Sequence, residues 1–180
     1  AHSHAFQRAI RGRTEHRAHP RDDFWTWREA MYAAADRLGP DDLYAVSKFC
    51  FLEMARAGAT AVGEFHYLHR DPSGRPYADP NELDLSVARA AGEAGLRVVL
   101  LRVAYARSGF GLAPNPRQRR FIEGSADEYL AALEALSPVD GRYRAATAPL
   151  RGLLSEAGLI RERIRIEAQW LLHLSAAVPQ

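Results

Sequence analysis

The chain has 180 residues, with 24 basic against 22 acidic side chains and a formal net charge of +2. Hydrophobic residues make up 47% and charged residues 26%, globular proportions that exclude a disordered or collagen-like chain. No run approaches the ~18 apolar residues of a membrane span and no signal-peptide pattern opens the chain; the single cysteine, Cys50, leaves no internal disulfide and points to a reducing cytoplasm.

Ala1 to Glu15 is polar and arginine-rich, without a clear helical period. Asp22 and Asp23 supply capping oxygens ahead of an amphipathic stretch, Phe24 to Leu38, which Gly39-Pro40 stops. Asp41-Asp42 open a second helix through Met54, and Gly58 stands where a left-handed C-cap residue belongs. Ala59 to His66 is a short, apolar, β-branched run, the mark of a buried strand. Leu68 to Pro80 is a loop dense in Asp, Pro and Gly; Asp79-Pro80 leads into a helix over Asn81 to Ala94, ended by Gly95. Leu96 to Tyr105 carries the strongest strand pattern, with Val98, Val99, Leu100, Leu101 and Val103 nearly continuous. That continuity predicts burial on both faces, the habit of a parallel sheet covered by helices. Ser125 and Glu128 form a capping box for a helix over Asp127 to Leu136. Strand and helix alternate, which argues for α/β construction.

Ser137 to Gly141 is a turn-rich break, and no strand candidate follows it. Pro149 to Glu156 and Leu159 to Ala177 read as two helices. In the second, Ile160, Ile164, Ala168, Leu171 and Leu172 make an apolar stripe that calls for a partner surface. The expected division is therefore residues 1–135, α/β, and 136–180, helical. All the basic residues but Lys48 are arginine; acids are interspersed with them, so no basic face for nucleic acid is expected.

His2-Ser3-His4 is the first candidate site. At a strand end alternate side chains point the same way, with Cα atoms about 6.6 Å apart. Two imidazoles there converge on one zinc at about 2.1 Å each, the alternative being an accidental pair at a frayed terminus. The string His2-Ser3-His4-Ala5-Phe6-Gln7-Arg8 resembles the metal-binding opening of the amidohydrolase superfamily. Four further blocks narrow the likeness: Asp23-Phe24-Trp25-Thr26-Trp27-Arg28, Gly63-Glu64-Phe65-His66-Tyr67-Leu68-His69, Gly74-Arg75-Pro76-Tyr77-Ala78-Asp79 and Ser108-Gly109-Phe110-Gly111. Together they resemble formimidoylglutamate deiminase, a family that removes ammonia from N-formimino-glutamate, a small-molecule substrate, in histidine breakdown.

The resemblance runs to about residue 135 and implies a partial TIM-like (β/α) barrel, its first strands and helices only. It implies zinc as cofactor, His2 and His4 as its first-strand ligands, and Gln7, Arg28 and Tyr67 as substrate contacts. An arginine fork suits the carboxylate of a glutamate. Read by itself, Arg28 is a solvated helix arginine, and Tyr67 is equally a strand-end aromatic covering the core. His66 and His69 read as supporting or structural, and Glu64 as a buried, hydrogen-bonded carboxylate without a role. The family's other zinc ligands and its proton-transfer glutamate and histidine come from later strands. No catalytic residue is therefore assigned, and the chain alone is expected to be an inactive piece of a metal-dependent hydrolase.

Ala135-Leu136-Ser137-Pro138-Val139-Asp140-Gly141-Arg142-Tyr143, Pro149-Leu150-Arg151, Leu154 to Ile160 and Glu167 to Leu171 resemble something else, the N-terminus of adenylosuccinate lyase. That likeness implies nucleotide contacts from Arg142 and Tyr143, which otherwise read as a turn arginine and a packed tyrosine. The expectation is a chimeric or truncated chain joining two enzyme beginnings near Leu133 to Ser137, and an initial Ala in place of Met agrees with it. Two further readings stand beside the deiminase one: a lyase-type purine fragment, and a non-catalytic interaction module docking through its tail helix. An open partial sheet exposes an edge and an apolar face, so homo-oligomer formation or association is expected.

Overall fold

Three short parallel strands organise the first part of the chain. The computed structural model describes residues 1–17 and 19–136, together with Arg165 and Gln169. The tail helices, Arg142 and Tyr143 lie outside the described residues. The chain divides into two units, residues 1–132 and 133–180.

Strand β1 (His2–Ser3) runs into a 3-10 helix (Ala5–Ile10), followed by α1 (Phe24–Ala35), α2 (Pro40–Arg56), β2 (Ala61–His66), α3 (Glu82–Glu93), β3 (Arg97–Arg102) and α4 (Ala126–Leu136). The strands lie side by side in chain order, β1-β2-β3, all parallel. Sequential parallel order with helical crossovers belongs to a (β/α) barrel, whereas a doubly wound sheet reverses its strand order. The fold is α/β, the opening part of such a barrel.

Local chemistry sets most boundaries. Asp23 caps α1, its Oδ1 accepting from the Trp25 and Thr26 amides at 2.8 and 3.1 Å. That helix ends at Ala35, short of the expected Leu38. Its C-terminal end, where carbonyls go unpaired, is taken by arginines. Arg119 donates to Asp36 Oδ1 at 2.8 Å, and buried Arg120 donates to the Ala35 carbonyl. Pro40 opens α2 as its first residue rather than stopping α1, and the Asp42 side chain accepts from the Gly39 amide at 3.1 Å. Gly58 (φ +92°) and Gly95 (φ +81°) follow α2 and α3 in left-handed conformations, turning the chain into β2 and β3.

The two faces of the sheet differ. On β2, Val62, Glu64 and His66 are buried, while Ala61, Gly63 and Phe65 are only partly so. The buried row lies on the side of α3, whose Asp84 reaches His66 and Arg102, and α3 in turn packs on α2. Register puts His2, Gly63 and Val99 in one row on the opposite face. Val99 there is 60% exposed, so β3 is not buried on both faces as its sequence predicts. The reason is that, among the described residues, helices cover one face only. Among the described residues, too, no helix is long and apolar enough to cross a membrane.

Candidate functional site

His2 lies in β1 and His4 follows its last residue, at the carboxyl end of the strand. Two-residue alternation brings both rings to one side, with their Nε2 atoms 3.3 Å apart. Two nitrogens bound at about 2.1 Å to a tetrahedral zinc lie about 3.4 Å from each other, so the spacing fits a pair of metal ligands. Desolvation and the neighbouring His2 ring lower the His4 imidazole from its ordinary value, partly offset by the Phe65 main chain. A neutral imidazole is the form that ligates.

The 3-10 helix turns Gln7 back toward the strand ends, where its Nε2 donates to Tyr67 Oη at 2.8 Å. It is held there from both sides: Phe6 and Ile10 are buried in the core, and Arg8 makes a two-point pair with Glu53 of α2 at 2.6 and 3.0 Å. Tyr67, 5% exposed, packs its ring against His4 (5.7 Å), Phe6 (5.2 Å) and Phe121 (5.0 Å). Burial pushes its phenol up, so it stays protonated and able to donate. Tyr67 closes the core, and its hydroxyl accepts from Gln7.

Arg28 is placed differently. Its guanidinium lies over the Trp25 ring at 4.4 Å and the Tyr32 ring at 5.6 Å, and its Nε has no hydrogen-bond partner among the described residues. The structure brings His2, His4, Gln7 and Tyr67 together; Arg28 stands on α1 as a stacked cation. Arg142 and Tyr143 lie outside the described residues.

Two groups went unassigned in the sequence. Glu64, 1% exposed, accepts from Ser3 Oγ and from the Ala5 amide, the latter at 2.7 Å. Burial raises its carboxyl and those two hydrogen bonds pull it back, with the net direction upward. The other is a second histidine cluster. His66, His69 and Asp84 are all buried, with ligand atoms within 4.8 Å of one another. Protein groups already occupy part of this cluster. Both ring nitrogens of His69 meet protein groups, Asp84 Oδ2 at 3.2 Å and the Val103 carbonyl at 3.0 Å, while His66 Nε2 and Asp84 Oδ1 have no hydrogen-bond partner among the described residues. Arg102 also sits against the group, with Nε 3.6 Å from Asp84 and Nη1 paired with Glu123. A carboxylate on the apolar side of α3, between Leu83 and Val87, was the available sequence signal for Asp84.

A family model, described as the amidohydrolase family, matches residues 1–167. The chain belongs to the amidohydrolase family. A formimidoylglutamate deiminase from Pseudomonas aeruginosa is 51% identical over 136 residues, covering 75% of this amidohydrolase chain and 30% of the deiminase. The crystal structure of an amidohydrolase from Brucella melitensis superposes with a TM-score of 0.70 at 46% identity, over 74% of this chain and 30% of that one. An adenylosuccinate lyase from Escherichia coli is 49% identical over 47 residues, 26% of this chain and 10% of the lyase. The chain thus spans about a third or less of each relative's length.

Proposed function

We propose that this chain carries the metal-entry strand and part of the substrate wall of a zinc-dependent hydrolase that releases ammonia from N-formimino-glutamate. The observation that carries the reading is the 3.3 Å approach of the His2 and His4 Nε2 atoms beside the Gln7–Tyr67 pair. The 51% identity to a formimidoylglutamate deiminase supports the substrate class. Zinc held by His2 and His4 would supply Lewis acidity and an activated water near neutral pH.

The chain's own residues bind and orient. The Gln7 amide, fixed by its bond to Tyr67, presents its carbonyl oxygen as an acceptor for the formimino N–H groups. The Tyr67 hydroxyl remains a donor toward the same group. Arg28, stacked on Trp25 and Tyr32, would present its guanidinium as a fork for a substrate carboxylate. None of these groups moves a proton in the reaction, so the chain by itself is read as binding without turnover.

The test is zinc uptake by the purified chain. Near-stoichiometric zinc that disappears in the His2→Ala/His4→Ala double variant supports the reading; equal uptake by both proteins ends it. A second reading, favoured by the lyase match, gives the remaining residues a nucleotide contact through Arg142 and Tyr143. Protection of Arg142 from guanidinium-specific reagents by adenylosuccinate would support it.

A further inference from the structure

We propose that Glu64 is a positioning residue for the metal-ligating pair, acting through the end of β1; the inference rests on the reading of His2 and His4 given above. The main-chain ladder between β1 and β2 stops at the Ser3–Glu64 pair, and His4 lies beyond it, with φ −125° and ψ 78° at the head of the 3-10 helix. Strand pairing therefore aims His2 but not His4. The His4 ring packs against Phe65 and Tyr67, and the backbone that carries it, between residues 3 and 5, is held on both flanks by Glu64. One carboxylate oxygen takes the Ser3 hydroxyl and the other takes the Ala5 amide at 2.7 Å.

This grip comes from the opposite face of the sheet. In strand alternation Ser3 and Glu64 point away from His2 and Gly63, so the carboxylate cannot itself reach a metal on the histidine side. It sits instead in the row of Val62 and His66, where a valine or isoleucine would fill the space without the desolvation a carboxylate incurs. Among the described residues, both of its hydrogen bonds go to the β1–3-10 junction. The gain is a fixed aim for His4, as outer groups around metal ligands generally provide.

The test uses the full chain, Zn2+ alone as the probe, and the variants Glu64→Ala, Glu64→Gln and Ser3→Ala. Zinc affinity is read by competition with a chromophoric chelator well below each protein's melting temperature. The approach of the His2 and His4 rings is read separately in metal-free protein, by the NMR cross-relaxation between their Hε1 protons. Glu64→Ala is expected to weaken zinc binding on the order of tenfold and to lose the inter-ring signal. Glu64→Gln keeps an oxygen for the Ala5 amide and a partner for Ser3 Oγ, so it should restore both readouts. Ser3→Ala, which removes one of the two contacts, should fall between and serves as the deciding variant if Glu64→Ala does not fold. Unchanged affinity and an intact ring signal in whichever alanine variant folds would overturn the proposal, even if its melting temperature drops. Wild-type chain that takes up no zinc would defeat the metal reading instead; the ring signal then decides whether Glu64 aims the histidines.

Discussion

One sheet holds two histidine pairs in opposite circumstances. His66 and His69, near the ends of the strands on the α3 side, are 1% and 2% exposed and are surrounded by Asp84, Arg102, Glu123 and the Val103 carbonyl. His2 and His4, at the end of β1 on the other side, face each other, with His2 open to solvent. In the first pair His69 meets protein groups at both ring nitrogens, while His66 Nε2, sealed from solvent, has no hydrogen-bond partner among the described residues. The second has a neighbour of its own kind and a route for something else to arrive. Clustering of imidazoles is thus not enough to mark a metal site; what separates the two pairs is access from solvent.

The largest expected effect breaks the comparison on the buried side. Asp84→Ala leaves the Arg102 guanidinium and the His69 ring without their shared carboxylate in a dry site, and should cost about 3–5 kcal/mol in urea denaturation. The His2→Ala/His4→Ala variant, measured without zinc, should stay within about 1 kcal/mol of the parent. The reverse order of effects would mean that the roles of the two pairs have been exchanged.

Acid offers a second test of about 3 kcal/mol. Burial pushes the His66 imidazole down to about 4; Asp84 draws it back up, and His69 and Arg102 lower it further. The unfolded chain takes up this proton near pH 6.5 and the folded chain only near pH 4. Stability is therefore full above about pH 6.5 and falls as the pH drops through that window. His66→Gln should flatten the decline between those two pH values. Part of the loss that remains at lower pH belongs to Asp84: burial raises its carboxyl, but His66, His69 and Arg102 outweigh that and hold it below the usual range. A parent protein whose stability is flat from pH 7 to pH 4 would show that His66 is not kept neutral by its surroundings.

What was legible in the sequence follows from how local each cause is. The Asp23 cap and the glycines after α2 and α3 act within a few residues, and the structure has all of them in those roles. The 3-10 helix of Ala5 to Ile10 has no periodic pattern, because the core contacts of Phe6 and Ile10 and the Arg8–Glu53 pair hold it. On β3, Val98 to Leu101 are all apolar, so no alternation tells which side is open; only pairing and helix placement decide that. The convergence of His2 and His4 followed from a two-residue spacing. The Glu64 grip on Ser3 and Ala5 joins residues some 60 positions apart, which no spacing rule reaches.

Tyr67→Phe sharpens the comparison on the histidine side at a smaller scale. It removes the hydroxyl that holds the Gln7 amide while leaving the ring packed against His4, Phe6 and Phe121. The expected loss is about 1 kcal/mol of stability by thermal melting, the usual net value of one partly buried hydrogen bond. Zinc uptake should be unchanged, since the ring still walls the site. A loss of several kcal/mol would mean that the hydroxyl anchors the Gln7 segment, with the Gln7 amide left part-buried and unsatisfied in the variant.

Val99→Lys should change stability least and behaviour in solution most visibly. Val99 is 60% exposed on a face that carries Phe65 beside it, and β3 is an edge strand of the described sheet. An apolar face with an unpaired edge is a template for self-association, and a lysine on the edge opposes it through charge and hydration. The parent chain should therefore show concentration-dependent association in sedimentation velocity that the variant lacks, with melting of the two alike within about 0.5 kcal/mol. Because the histidines share this face, association in the parent should also slow zinc uptake, and the variant should bind faster at the same protein concentration. A parent that sediments as a monomer at every concentration would mean that the face beside His2 and His4 is shielded in solution, and access would then no longer separate the two pairs.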